Sequence, residues 1–136
     1  MSSPGGAGAL AYLDSSALVK LMVLEPETAA LRRELQHWPQ RVSSLLAAVE
    51  LSRVALRLGH LTIPAATRVL AGLRVLSIDQ IAQTAAQIGS PRLRSLDAIH
   101  LATAQSLGTQ LGVLITYDQR MLAEARALRL PHAAPR

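Results

Sequence analysis

The chain contains no cysteine and no phenylalanine, and it has one lysine, one tryptophan and two tyrosines among 136 residues. The lack of cysteine excludes disulfides, thiolate metal sites and cysteine nucleophiles, and it suits a reducing compartment. Any metal must then be held mainly by oxygen. With Trp38, Tyr12 and Tyr117 as the only aromatic residues, there is no stacking platform of the kind on which RRM sheets and OB-folds lay bases. Long apolar runs are also missing. The uncharged stretch from Ala98 to Tyr117 is interrupted by His100, Thr103, Gln105, Ser106, Gly108, Thr109, Gln110 and Gly112, which makes it too polar for a spanning helix. No basic segment precedes the apolar run Ala9 to Leu13, and Asp14 ends that run too early for a signal peptide. The expected compartment is the cytoplasm.

Leucine, alanine, valine and isoleucine are abundant. Half the residues are hydrophobic, enough for the core of one domain built from helices on a buried sheet. The formal charge is +5, and every basic residue but Lys20 is arginine. A positive field concentrates phosphates, and guanidinium groups grip them in a bidentate fashion. A polyanionic partner is therefore expected.

Along the chain, residues 1–8 (MSSPGGAG) read as a flexible lead-in, 9–132 as a single domain, and 133–136 as a flexible tail. Apolar runs at 9–13, 75–78 and 113–116 predict strands, with shorter candidates at 41–43 and 130–132. Helices are predicted over 17–24 after a Ser15 or Ser16 cap, from Pro26 to His37, over 45–58 between Ser44 and Gly59, and from Pro64 to Gly72. Further helices are predicted over 80–88 after an Asp79 cap, over 96–107 and over 120–128. Strands alternating with helices imply an α/β sandwich around a mainly parallel sheet.

Within this frame four carboxylates, Asp14, Glu50, Asp97 and Asp118, interrupt apolar segments: AYLDSSALVKL, SLLAAVELSR, RSLDAIHLATA and VLITYDQRML. Desolvating an unpartnered carboxylate costs several kcal/mol, so four of only nine acidic residues in such segments indicate a shared task. Asp14 and Asp118 follow strands, and the ends of parallel strands are where open α/β sheets bind ligands. Carboxylates about 5 Å apart repel by roughly 3 kcal/mol per pair at an effective dielectric near 20, a repulsion that protons or cations relieve. Hard divalent ions such as Mg²⁺ or Mn²⁺ suit such a set and support phosphodiester hydrolysis. Each acid also has a structural reading. Asp97 and Asp118 suit helix caps, and Glu50 suits pairing with Arg53 and Arg57 on its own helix. Asp79 also follows a strand and precedes a helix, and it is read as a cap alone.

Taken together, the segments YLDSSALVKL, SLLAAVELSR, LRSLDAIHLATA and LITYDQRMLAEA resemble the four acidic motifs of the PIN domain family, and within it the VapC-type toxins. The resemblance implies a three-layer α/β/α sandwich and an Mg²⁺- or Mn²⁺-dependent endoribonuclease that arrests translation by cutting RNA. It further implies a homodimer and a cognate antitoxin that blocks the acidic pocket. Carried over, Asp14, Glu50, Asp97 and Asp118 become catalytic metal ligands, while Ser16, Thr116 and His100 support the site. Arg53, Arg57, Arg92 and Arg94 are the candidates for holding RNA phosphate, each with a plain surface role as the alternative. A non-catalytic PIN-like module that only binds RNA or protein is the competing function.

Overall fold

The computed structural model describes residues 8–136, so the lead-in expected over 1–8 lies, apart from Gly8, outside the described residues. The order of elements is β1 (Leu10–Leu13), α1 (Ser15–Met22), α2 (Thr28–Leu35), β2 (Gln40–Ser44), α3 (Leu45–Leu58), α4 (Ile63–Ala71) and β3 (Arg74–Leu76). It continues through α5 (Ala82–Ala85), α6 (Ser95–Ser106), β4 (Leu111–Ile115), α7 (Gln119–Ala127) and β5 (His132–Ala133). All strand pairings are parallel and the sheet order is β3-β2-β1-β4-β5. No helix among the described residues is long and apolar enough to cross a membrane.

Strand β1 lies at the centre, and every residue of its LAYL run is buried, as expected of a parallel strand covered on both faces. Its side chains alternate between two cores. Ala11 and Leu13 join Leu18, Leu31, Leu51 and Ala66 beneath α1–α4, whereas Leu10 and Tyr12 join Leu101, Leu114, Met121 and Ala125 beneath α6 and α7. Three layers result. Alanines at the helix contacts, Ala17, Ala47 and Ala55 on one side and Ala104 and Ala125 on the other, let the helices approach the sheet closely. Gly112 in β4 serves the same end, since a Cβ there would sit 2.2 Å from the Trp38 ring.

Most element boundaries fall within two residues of those the sequence predicts. Three details differ. Helix α1 starts one residue after β1 because Asp14 itself is the N-cap, its side chain accepting from the Ala17 N–H at 3.0 Å, so neither serine fills that role. The helix predicted over 80–88 is reduced to Ala82–Ala85, and Asp79 does not cap it. Apart from Ile81, no residue of the predicted 80–88 helix is fully buried, and a helix this short has little stability without packing. At the C-terminus, β5 pairs with β4, Tyr117 donates to the Pro135 carbonyl at 2.8 Å, and Arg136 lies 3.5 Å from Glu27.

The chain runs outward from β1 through β2 to β3, then crosses by α6 to β4 on the other side of β1. The strand order therefore reverses between β1 and β4, and the crevice at their C-terminal ends is the position where such sheets bind ligands.

Candidate active site

Asp14 stands in that crevice with 3% of its surface exposed. Its Oδ1 accepts from Ser16 Oγ at 2.7 Å and from the Ala17 N–H, and its Oδ2 accepts from Thr116 Oγ1 at the end of β4. Ser16 in turn accepts from the Tyr117 N–H at 2.9 Å, and Thr116 accepts from the Asp118 N–H at 3.2 Å. These hydroxyls brace the charge and tie the ends of β1 and β4 together. Burial pushes the Asp14 carboxyl above its ordinary value, against the opposing influence of His100, Thr116, Ser16 and the Ala17 N–H. Ser16 and Thr116 thus occupy the bracing positions expected of them.

Asp118 is the N-cap of α7, with Oδ1 accepting from the N–H groups of Arg120 at 2.8 Å and Met121 at 3.1 Å. Oδ2 takes no hydrogen bond among the described residues. Asp97 lies in the first turn of α6 but is not its cap, which is Arg94 without a side-chain bond. Its carboxylate has no hydrogen-bond partner among the described residues. Burial raises the Asp97 pKa, and the negative charges of Asp118 and Asp14 raise it further, with His100 and Arg94 acting in the opposite sense. The three aspartates therefore share one electrostatic neighbourhood, reached from β1, α6 and the β4–α7 junction.

Glu50 approaches from α3 on the other layer and is held differently. Neither Arg53 nor Arg57 is paired with it among the described residues. Ser15 Oγ donates to Glu50 Oε1, and His100 Nε2 lies 3.3 Å from the same oxygen. Burial raises the Glu50 pKa, but the bonds from His100 and Ser15 prevail and hold it below the ordinary carboxylate value. His100, 2% exposed, also lies 3.2 Å from Ser15 Oγ through Nε2 and 2.8 Å from Tyr12 Oη through Nδ1.

Ser15 and Tyr12 are absent from the residues the sequence singled out. Ser15 reads in the sequence as a candidate cap, and Tyr12 only as part of the strand over 9–13. A signal for Tyr12 existed, since it precedes Asp14 by two positions on a strand and so shares its face, and a buried phenol needs a partner.

Three of the exposed arginines lie near these acids, Arg53 and Arg57 by Glu50 and Arg94 by Asp97. Arg53 and Arg57 line, with Ser15, Val49 and Glu50, a groove of about 250 Å³. Arg94 precedes α6 close enough to Asp97 to influence its charge, and Arg92 lies in the exposed loop before it.

Among the described residues no three of the His, Asp and Glu side chains are drawn tightly enough together to form a ready-made metal-ligand set. The donor chemistry nevertheless fits a hard divalent cation. All the acidic donors are oxygen, two of the carboxylates are raised in pKa by burial, and Asp97 and one oxygen of Asp118 have no protein partner among the described residues. Mg²⁺ and Mn²⁺ use sites of this open kind, where one or two carboxylates bind directly and water fills the remaining positions.

Residues 11–128 match the family model described as the PIN domain. Ribonuclease VapC46 of Mycobacterium tuberculosis is 50% identical over 125 residues, which cover 91% of this chain and 96% of that protein. Ribonuclease VapC35 of the same organism is 46% identical over 133 residues, with the same coverage. Among solved structures, a toxin-antitoxin complex from Klebsiella pneumoniae aligns with a TM-score of 0.69 and 26% identity, covering 93% of this chain and 98% of that one. The Mycobacterium tuberculosis toxin VapC20, described as cleaving the sarcin-ricin loop, shares the fold at a TM-score of 0.66 and 18% identity, covering 83% of this chain and 93% of that one. With a five-stranded parallel sheet between two helical layers and relatives of this similarity across almost its full length, the chain belongs to the PIN domain family, in the company of the VapC ribonucleases.

Proposed function

We propose that this protein is a divalent-metal-dependent endoribonuclease toxin of a toxin-antitoxin pair, with Asp14, Glu50, Asp97 and Asp118 at its active site. The observation that carries the reading is the convergence of Asp14, Asp97 and Asp118 at the sheet's switch point in a chain half identical to a ribonuclease. A divalent cation such as Mg²⁺ or Mn²⁺ would supply polarisation of the phosphate and activation of water there. Asp14 would hold it, fixed by Ser16, Thr116 and the Ala17 N–H, with Asp97 and the second oxygen of Asp118 as further ligands, directly or through water. Glu50 faces the site from α3 and would complete the set. Arg53 and Arg57 on one side and Arg92 and Arg94 on the other supply positive charge to draw in and align the RNA backbone.

A cognate antitoxin is the expected partner, a reading supported by the Klebsiella pneumoniae toxin-antitoxin complex. Exposed Leu45, Val49 and Leu56 form an apolar stripe on α3 beside Glu50, which suits a protein partner in addition to RNA. A homodimer is proposed on the family resemblance alone. The non-catalytic alternative would be favoured by loss of an acidic position, and none is lost.

The test is RNA cleavage by the purified protein with Mg²⁺ or Mn²⁺, with chelator, and with the Asp97→Asn variant. Cleavage is expected only with metal, and Asp97→Asn should lower it by at least about 100-fold, the scale on which removing a charge-stabilising group acts. Undiminished cleavage in chelator would refute the metal-dependent reading.

A further inference from the structure

The arrangement around His100 joins three elements that otherwise meet only at the end of the sheet. Tyr12 belongs to β1 and is fully buried, His100 belongs to α6 and is 2% exposed, and Glu50 comes from α3 in the opposite helical layer. The tyrosine and histidine rings meet edge to face, with centroids 5.8 Å apart at 76°. The positions of the protons follow from the partners. Ser15 has one hydroxyl proton, which it gives to Glu50 Oε1. Next to Nε2 stand a carboxylate oxygen and a hydroxyl oxygen whose proton is already committed, so both are acceptors and Nε2 carries the hydrogen. On the other side of the ring, Tyr12 Oη lies 2.8 Å from Nδ1.

We propose that Tyr12 and His100 form a positioning relay, in which the phenol orients the imidazole ring through Nδ1 and the imidazole Nε2–H, with Ser15, aims the Glu50 carboxylate at the mouth. Glu50 needs such a device more than Asp14 and Asp118 do. It has a longer side chain with more rotamers to restrict, and its carboxylate has no backbone N–H partner among the described residues, whereas the Ala17 N–H holds Asp14 and the Arg120 and Met121 N–H groups hold Asp118. The relay spans both helical layers, so the placement of Glu50 depends on how α6 and α3 close over β1. It rests on the reading of Glu50 as a metal ligand, and Tyr12 acts through other residues without touching RNA or metal.

The test compares wild type, Tyr12→Phe, Glu50→Gln and the double variant, using Mn²⁺ binding by calorimetry in the absence of RNA, and RNA cleavage. Removing the phenol oxygen should weaken Mn²⁺ binding and lower kcat by about 10-fold, the low end of the effect of losing an outer partner of a metal ligand. KM for RNA should stay within about twofold, because no group that binds RNA has changed. In the Glu50→Gln background, Tyr12→Phe should have no further effect on Mn²⁺ affinity, since the two act in series. His100→Gln, which keeps an N–H near the Nε2 position, should bind Mn²⁺ more tightly than His100→Ala, and this pair decides the matter if Tyr12→Phe fails to fold. Wild-type Mn²⁺ affinity and kcat in Tyr12→Phe would overturn the relay, as would an equal loss with and without the Glu50 carboxylate. If wild type neither binds Mn²⁺ nor cleaves RNA, the metal-nuclease reading itself fails and the relay with it, a result distinct from failure of Tyr12→Phe alone.

Discussion

Two places in the molecule share one local pattern, an apolar strand followed by an aspartate and then a helix: the end of β1 at Asp14 and the end of β3 at Asp79. They differ in almost everything else. β1 is central and β3 is an edge strand. Asp14 is buried, capped onto α1, hydrogen-bonded by two hydroxyls and crowded by other acids. Asp79 is exposed and caps nothing, and its N–H donates to Ser77 Oγ at 3.2 Å. A carboxylate at a strand end is thus not a site in itself. What makes one is a central position at the reversal of strand order, where neighbouring strands bring hydroxyls and further acids and exclude water.

The largest expected contrast is in catalysis. Asp14→Asn should reduce RNA cleavage by about 100-fold or more, whereas Asp79→Asn should leave it within twofold. Comparable losses in the two variants, measured on equally folded protein, would abolish the distinction drawn between them.

Stability should show a smaller contrast. Thr116→Val keeps the shape of the side chain but removes the donor to Asp14 Oδ2 and the acceptor of the Asp118 N–H. Leaving such buried groups unsatisfied costs about 1–3 kcal/mol each, to be read from urea unfolding. Ser77→Ala, the corresponding change at the β3 end, should fall within about 0.5 kcal/mol of wild type as an exposed substitution. A negligible effect of Thr116→Val would mean that water replaces the threonine hydroxyl at no cost.

The smallest effect concerns pH. Asp14 and Asp97 are raised in the native state above the ordinary value of 3.8, so in that window the native protein binds more protons than the unfolded chain. Stability contributed by these groups is then full below the unfolded value and is lost as pH rises toward the native one. In chelator, the melting temperature of Asp14→Asn relative to wild type should therefore climb as pH rises above the ordinary carboxylate value of 3.8. A constant offset across the range would show that burial does not perturb Asp14, and Mg²⁺ should narrow the difference by stabilising wild type alone.

Much of the fold was legible in the residues. The apolar runs at β1 and β4, the Ser44 cap and Gly59 stop of α3, and the alternation of strands and helices all have local causes, and the structure repeats them. Asp14 and Asp118 lie within electrostatic reach of Asp97, although no three acidic or histidine side chains among the described residues form a ready-made metal-ligand set. Less legible were the details that depend on partners distant in sequence. Glu50 looked ready to pair with Arg53 or Arg57 on its own helix, yet its bonds go to Ser15 and His100. Asp97 resembled a cap and is not one, while Asp118 is a cap whose second oxygen takes no hydrogen bond among the described residues.

The sequence alone determined the order of elements, the two-sided burial of the central strands and the presence of acids where strands end, because hydrophobic periodicity and capping chemistry act between near neighbours. Only the tertiary structure decided which groups brace which carboxylate, and that Tyr12 and Ser15 both hydrogen-bond the His100 ring. Those outcomes depend on strand order and on the packing of α3 and α6 over opposite faces of one sheet, contacts between residues as much as 102 positions apart that no local pattern encodes.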